Sequence, residues 1–209
     1  MHPLESRLSE RAAAAGLALN DSLRARLLAY HDVLFRWNAR INLTALTDPD
    51  EAIDRLLLEP VAAAGYLRRA AGLMDLGSGG GSPAIPLALA LDCPRLVMVE
   101  SKQRKAAFLR EAARIVEIPA VVEAERFEVL ADAGRYSAAF GVVSMRAVRM
   151  DFESLSQAAV FLEPGGRLAL FVSAGTRLDV PQTLIEASRA HLVGNAELAV
   201  VSRHVPRGT

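Results

Sequence analysis

Leu73-Met-Asp-Leu-Gly-Ser-Gly-Gly-Gly-Ser-Pro-Ala-Ile-Pro86 is the stretch on which the fold turns. An apolar strand leads into Asp75, glycines follow at 77, 79, 80 and 81, and a helical pattern opens behind them. Glycines tolerate positive φ and let backbone N–H groups come close to a ligand. Such a loop at the carboxyl end of a first strand is where open α/β sheets bind nucleotides. Two ligand classes compete. A dinucleotide loop, G-x-G-x-x-G, turns a helix N-terminus toward a pyrophosphate. Gly77 and Gly79 satisfy its first two positions, but Ser82 stands at the third. Asp75 lies two residues before the first glycine. A carboxylate there would repel a pyrophosphate and suits a ligand with an amine and a sulfonium, such as S-adenosylmethionine.

Downstream, Arg95-Leu-Val-Met-Val-Glu100 reads as the next strand, ending in an acid 23 residues after Gly77. A carboxylate there can accept hydrogen bonds from both hydroxyls of an adenosine ribose, in NAD and S-adenosylmethionine alike. Further apolar runs occur at 120–123, 138–145, 167–172 and 196–201, with helical patterns at 84–91, 102–116 and 151–162. Strand–helix alternation with short loops predicts an α/β domain whose mainly parallel sheet is covered on both faces, its first strand central.

Upstream, the spacing predicts helices. Leu4, Leu8, Ala12 and Ala15 recur at helical intervals, Gly16 ends that helix, and Asn20 or Asp21 caps the next. In the second helix Leu23, Leu27, Tyr30, Leu34 and Trp37 form one apolar stripe that should pack on the α/β domain. A third helix is expected from about Asp48 to Arg69, bent or broken at Pro60. The division expected is a helical extension over 1–60 and a nucleotide-binding domain over 61–209.

Composition narrows the rest. The chain has 209 residues, 52% of them apolar, and a formal net charge of zero. Disorder and general electrostatic nucleic-acid binding are both disfavoured. No apolar run reaches the roughly 18 residues of a membrane span, and the polar Met1–Ser9 is no signal peptide, so a cytoplasmic location is expected. Cys93 is the only cysteine. His2, His31, His191 and His204 are scattered and suggest no metal set or catalytic cluster. Lys102, Arg104, Lys105 and Arg110 make the helix after Glu100 basic, either a solvated face or a contact for phosphates.

Five ordered segments resemble one family, the bacterial 16S ribosomal RNA guanine-N7 methyltransferases (the RsmG or glucose-inhibited-division B family). They are Trp37-Asn-Ala-Arg-Ile-Asn-Leu-Thr44, the Asp75–Pro86 loop, Val99-Glu-Ser-Lys-Gln-Arg-Lys-Ala-Ala-Phe-Leu109, Arg126-Phe-Glu128 and Arg146-Ala-Val148. The resemblance implies a Rossmann-like class I S-adenosylmethionine-dependent methyltransferase with a helical N-terminal extension. It implies methyl transfer to guanine N7 of 16S ribosomal RNA in the small subunit. The cofactor residues implied are Asp75, Gly77, Ser78, Gly79, Ser82, Glu100, Ser101, Phe127, Glu128 and Arg146, with Arg146 also the catalytic candidate. Guanine N7 has a free lone pair and no proton to lose, so a missing general base fits this reaction.

The chain departs from the family's pattern in places. Leu56, Glu59 and Pro60 replace a His and an Asp-Ser, and Val172 or Ser173 stands where a Lys is usual. These differences bear on RNA binding and target choice. They keep open a methyltransferase with another substrate or a cofactor-binding paralogue without turnover; Asp75 and Ser82 disfavour a nicotinamide oxidoreductase. Val205-Pro-Arg-Gly-Thr209 resembles the turn before a final strand that family members have; either that strand is absent or the sequence stops short of it. The expected result is an open edge at the fifth or sixth strand, with either dimerisation through it or loss of order after about Val180, the chain being a monomer or a weak dimer.

Overall fold

The computed structural model describes residues 3–67 and 70–203; His2, His204, Val205–Thr209 and the expected helix end at Arg69 lie outside them. The chain opens with α1 (Pro3–Ala14) and α2 (Asp21–Asn38). Gly16 follows α1 with φ +69°, and the Asn20 side chain caps α2 by accepting from the Leu23 N–H at 2.8 Å. The third helical run is shorter than expected. It comprises α3 (Pro49–Ile53), a π-helical turn (Asp54–Leu58) and α4 (Glu59–Ala64). The interruption sits just before Pro60, whose missing N–H cannot continue an α-helical ladder.

The sheet strands are β1 (Leu73–Leu76), β2 (Leu96–Val99), β3 (Ala120–Glu123), β4 (Phe140–Arg146), β5 (Leu162–Ser173), β6 (Leu184–His191) and β7 (Ala196–Arg203). Between them lie α5 (Ala84–Leu91), α6 (Gln103–Ile115), α7 (Phe127–Asp132) and α8 (Phe152–Val160). The order across the sheet is β3-β2-β1-β4-β5-β7-β6. The first five strands are parallel, and β7 pairs antiparallel with both β5 and β6. The mainly parallel α/β fold is as expected, with β4 rather than β1 in the middle.

The expectation of a missing last strand is corrected. Ala196–Arg203 is itself that strand, and its hairpin partner is Leu184–His191, upstream rather than downstream. β7 occupies the edge of β5 from Arg167↔Ser202 to Ser173↔Ala196, which removes the open edge proposed for dimerisation. The segment after Val180 carries this hairpin, contrary to the expected loss of order. β6 escaped notice because most of it is exposed, so it lacks the apolar signature of a buried strand.

Alternation along the strands sorts the core into two layers. Leu73, Leu96, Met98, Val142, Ala169 and Phe171 face α1, α2, α5 and α6. Met74, Leu76, Val97, Val99, Val143 and Met145 face α7 and α8. The N-terminal helices join the first layer through Leu8, Leu27, Tyr30 and Leu34, with Trp37 packed against it. Polar contacts fix α2 in place: Arg26 donates to the carbonyls of Val116 and Glu117, and Trp37 Nε1 to Glu111 at 3.1 Å. Fully buried Tyr30 donates its hydroxyl to the Gly80 carbonyl at 2.6 Å, tying α2 to the glycine loop. Replacing Tyr30 with Phe should lower unfolding stability by about 0.5–1.5 kcal/mol. Urea denaturation checks this, and an unchanged midpoint would deny the bond a structural role.

Candidate active site

The connections leave β1 toward β2 and leave β4 toward β5, so the carboxyl ends of β1 and β4 part at a topological switch point. A crevice outside that point is the usual ligand site of an open α/β sheet. Here it is a cavity of about 650 Å³. Four strand ends floor it: Gly77–Gly80 after β1, Glu100–Lys102 after β2, Glu125–Glu128 after β3 and Arg146–Val148 after β4. The N-terminal region adds a wall of Leu43, Thr44, Ala45, Leu46, Arg55 and Leu56.

The glycine loop is built for close approach. Gly77 has φ +74°, and a Cβ there would overlap Val148 Cγ1. Gly81 has φ +85°, and a Cβ would press on Ile85, Tyr30 and Leu109 within 3.0–3.3 Å. Side chains at these positions would separate the β1 and β4 ends or push the loop off α2. The Glu100 carboxylate accepts from the Gly79 N–H at 2.9 Å and from the Lys102 N–H at 2.8 Å. It is therefore aimed by two backbone donors at the mouth of β2. Ser101, Phe127 and Glu128 line the same cavity, as do Ser78, Ser82 and Arg146.

Asp75 is the exception. It is 1% exposed and does not line the cavity. Alternation turns it to the face shared with Leu73, under the helices. There its cross-strand neighbour Ser144 donates to its carboxylate at 2.6 Å, and Ser78 Oγ donates to its carbonyl at 3.1 Å. Burial pushes its pKa up to about 6, with the serine hydrogen bonds pulling the other way. Asp75 lies beneath the loop, off the cavity surface.

Arg146, on the same face, is half-buried, its side chain 13% exposed. Its Nη2 donates to Glu59 in an ion pair, and its Nη1 donates to the Arg55 carbonyl and, at 3.3 Å, to Ser82 Oγ. Its cross-strand neighbour Phe171 presents its ring 4.6 Å from the guanidinium carbon. Burial raises the pKa of Glu59 and lowers that of Arg146, and their mutual attraction opposes both shifts.

Sequence reasoning missed the wall at 43–46 and the Arg55–Glu59 contacts. The signal for the wall was Asn38, whose Oδ1 accepts from the N–H groups of Leu43 and Thr44 at 2.8 and 3.0 Å and shapes that loop. Among the described residues no cluster of His, Cys, Asp and Glu could hold a metal ion, and no helix is long and apolar enough to cross a membrane.

Residues 23–184 match the GidB family, described as rRNA small subunit methyltransferase G. The chain belongs to this family. Relatives agree with the assignment. The ribosomal RNA small subunit methyltransferase G of Syntrophotalea carbinolica is 35% identical over 79% of this chain and 76% of its own length. That of Stenotrophomonas maltophilia (strain K279a) is 40% identical over 65% of each, and that of Neisseria gonorrhoeae (strain NCCP11945) 34% identical over 78% and 76%. Solved structures support the class I methyltransferase fold of this GidB member. A Klebsiella pneumoniae protein assigned as an O-methyltransferase superposes with TM-score 0.64 over 96% of this chain and 97% of its own, at 13% identity. P. horikoshii TYW2, solved in complex with MeSAdo, gives TM-score 0.52 over 69% and 60%, also at 13% identity.

The Asp75 carboxyl yields a pH prediction. Its native pKa lies above its ordinary 3.8, so between about pH 4 and 6 the native state holds more protons than the unfolded one. Its contribution to stability therefore falls as pH rises through that window. A shift of this size corresponds to roughly 3 kcal/mol. Asp75→Asn should lose this fall relative to the unaltered protein, as urea unfolding at pH 4, 5 and 6 will show. Parallel pH profiles for the two proteins would contradict the assignment.

Proposed function

We propose that this chain transfers the methyl group of S-adenosylmethionine to N7 of a guanine in 16S ribosomal RNA of the small ribosomal subunit, in the cytoplasm. The observation that carries the reading is the convergence of the Gly77–Gly80 loop, the Glu100 carboxylate and Arg146 on one cavity at the switch point, in a member of the GidB family. The donor set fits the cofactor. Glu100 can accept from both ribose hydroxyls, Phe127 and Glu128 offer an apolar face and an acceptor for the adenine, and the close-packed glycine loop leaves room for the amino-acid end. S-adenosylmethionine supplies an activated methyl on a sulfonium.

What the protein must add is positioning. Guanine N7 attacks through a free lone pair, so no side chain has to remove a proton. A catalyst for this step gains its rate from holding the reactants in line and from the electrostatics around them. Arg146 is fixed where cofactor and base would meet, and its charge is held by Glu59 rather than by solvent. At the mouth, Arg55, Lys102, Lys105 and Arg126 are cations suited to RNA phosphates. Arg126 and Arg55 are already engaged by Glu128 and Glu51 at 3.4 and 3.5 Å. Lys102, exposed, and Lys105, half-buried, lie on the α6 side and carry the larger share of that attraction. Unpaired bases are the usual RNA targets.

The test is methyl transfer from labelled S-adenosylmethionine to small subunits that lack N7 methylation, followed by mass spectrometry of the 16S RNA. A new N7-methylguanine is expected; transfer to another atom, or to none, would overturn the reading. Replacing Glu100 with Ala removes a charge-assisted acceptor contributing about 1.5–3 kcal/mol. The S-adenosylmethionine dissociation constant, measured by calorimetry, should rise about tenfold to a hundredfold. An unchanged constant would take Glu100 out of the site.

A further inference from the structure

Arg146 and Glu59 are separated by 87 positions, yet they form an ion pair in which Glu59 is buried and Arg146 half-buried. Glu59 and Arg55 belong to one helical run, and the π-helical turn Asp54–Leu58 explains how both reach Arg146. In that turn the bonding step lengthens to five residues, and the Glu59 N–H donates to the Asp54 carbonyl. The next bond in register would run from residue 60 to the Arg55 carbonyl. Residue 60 is proline and has no N–H. The Arg55 carbonyl is left for an outside donor, and Arg146 Nη1 fills that role at 2.5 Å. The guanidinium is thereby held at both terminal nitrogens, over the Phe171 ring.

We propose that Glu59 and Pro60 are positioning residues for Arg146: Glu59 supplies its counter-charge and Pro60 keeps the Arg55 carbonyl open as its second acceptor, so that the guanidinium stays fixed toward the cavity. This rests on the reading of that cavity as the site of methyl transfer. Two acceptors on different nitrogens stop the planar group from turning about its Nε–Cζ bond; an ion pair alone does not. If Arg146 swung outward it would leave the buried Glu59 carboxylate without its bound counter-charge, with only Arg55 acting on it from a distance, which is disfavoured. A helix-breaking proline thus has a specific use here, since its missing donor is what orients the arginine.

Three variants of the full chain test this: Glu59→Gln, Glu59→Asp and Pro60→Ala. Pro60→Ala restores an N–H that can close on the Arg55 carbonyl, and it relieves the proline's penalty within a helix. Its melting temperature should hold or rise while kcat for small subunits falls about tenfold, the loss of one charge-assisted hydrogen bond. Glu59→Gln should lose about tenfold to a hundredfold in kcat, and Glu59→Asp, which keeps the charge, should recover part of it. NMR of the arginine guanidinium groups gives a readout independent of activity. Arg146 should show separate, slowly exchanging Nη signals in the unaltered protein, and faster rotation in Glu59→Gln and Pro60→Ala. Unaltered kcat and Arg146 signals in both variants would overturn the proposal. So would losses of kcat that merely follow a lowered melting temperature. Should the unaltered protein bind no S-adenosylmethionine while the NMR restraint is present and lost in the variants, the functional reading fails and the positioning of Arg146 stands.

Discussion

A half-buried guanidinium at the end of β4 sets the terms on which the N-terminal helices meet the sheet. Arg146 cannot lie on that face without a counter-charge, and Glu59 is the one carboxylate it reaches as an ion pair among the described residues. Removing one partner of a buried pair costs about 3–5 kcal/mol, because the other stays behind uncompensated. Glu59 must therefore pass directly under the cavity. That requirement fixes the path of the run from Pro49 to Ala64, which in turn packs α4 on α5 and brings Arg55 and Leu56 into the cavity wall. The helical extension is thus part of the site.

Alternation along two strands explains the rest of the polar layer. Asp75 and Ser144 are register partners on β1 and β4, and Arg146 follows Ser144 by two, so all three point to the same face. A buried carboxylate, a buried hydroxyl and a half-buried guanidinium lie there beside Tyr30, and each has a hydrogen-bond partner. Buried polar groups left unpaired are costly, so this layer holds the two strand ends in a set relation. The glycine loop above it then has a firm base, with Tyr30 bound to its Gly80 carbonyl from the side.

Much of this was legible in the sequence because the signals were local. The α2 stripe, the Asn20 cap, the glycine loop and the acid at the end of β2 all depend on neighbours within a few positions. Asp75 misled because β1 is buried on both faces. Apolar residues then flank an acid on both sides, and nothing in the pattern tells which way it points. β6 was invisible for the opposite reason: it is an edge strand whose surface is charged, with Arg189 bound to Glu186 and Glu197. Charged edges of this sort discourage pairing with another chain. The Glu59–Arg146 contact could not be read at all, since it joins segments far apart in the chain. Glu59-Pro60, a departure from the family's usual Asp-Ser, instead looked like a loss.

The most direct measurement is a crystal structure of the protein with S-adenosylmethionine bound. The ribose hydroxyls should lie on the Glu100 carboxylate and the adenine beside Phe127 and Glu128. The sulfonium methyl should point toward the space bordered by Arg146, Arg55 and Leu56, with Asp75 still buried on Ser144. A ligand seated outside the β1–β4 switch point, or one that leaves Glu100 bonded only to Gly79 and Lys102, would contradict the assignment of the site.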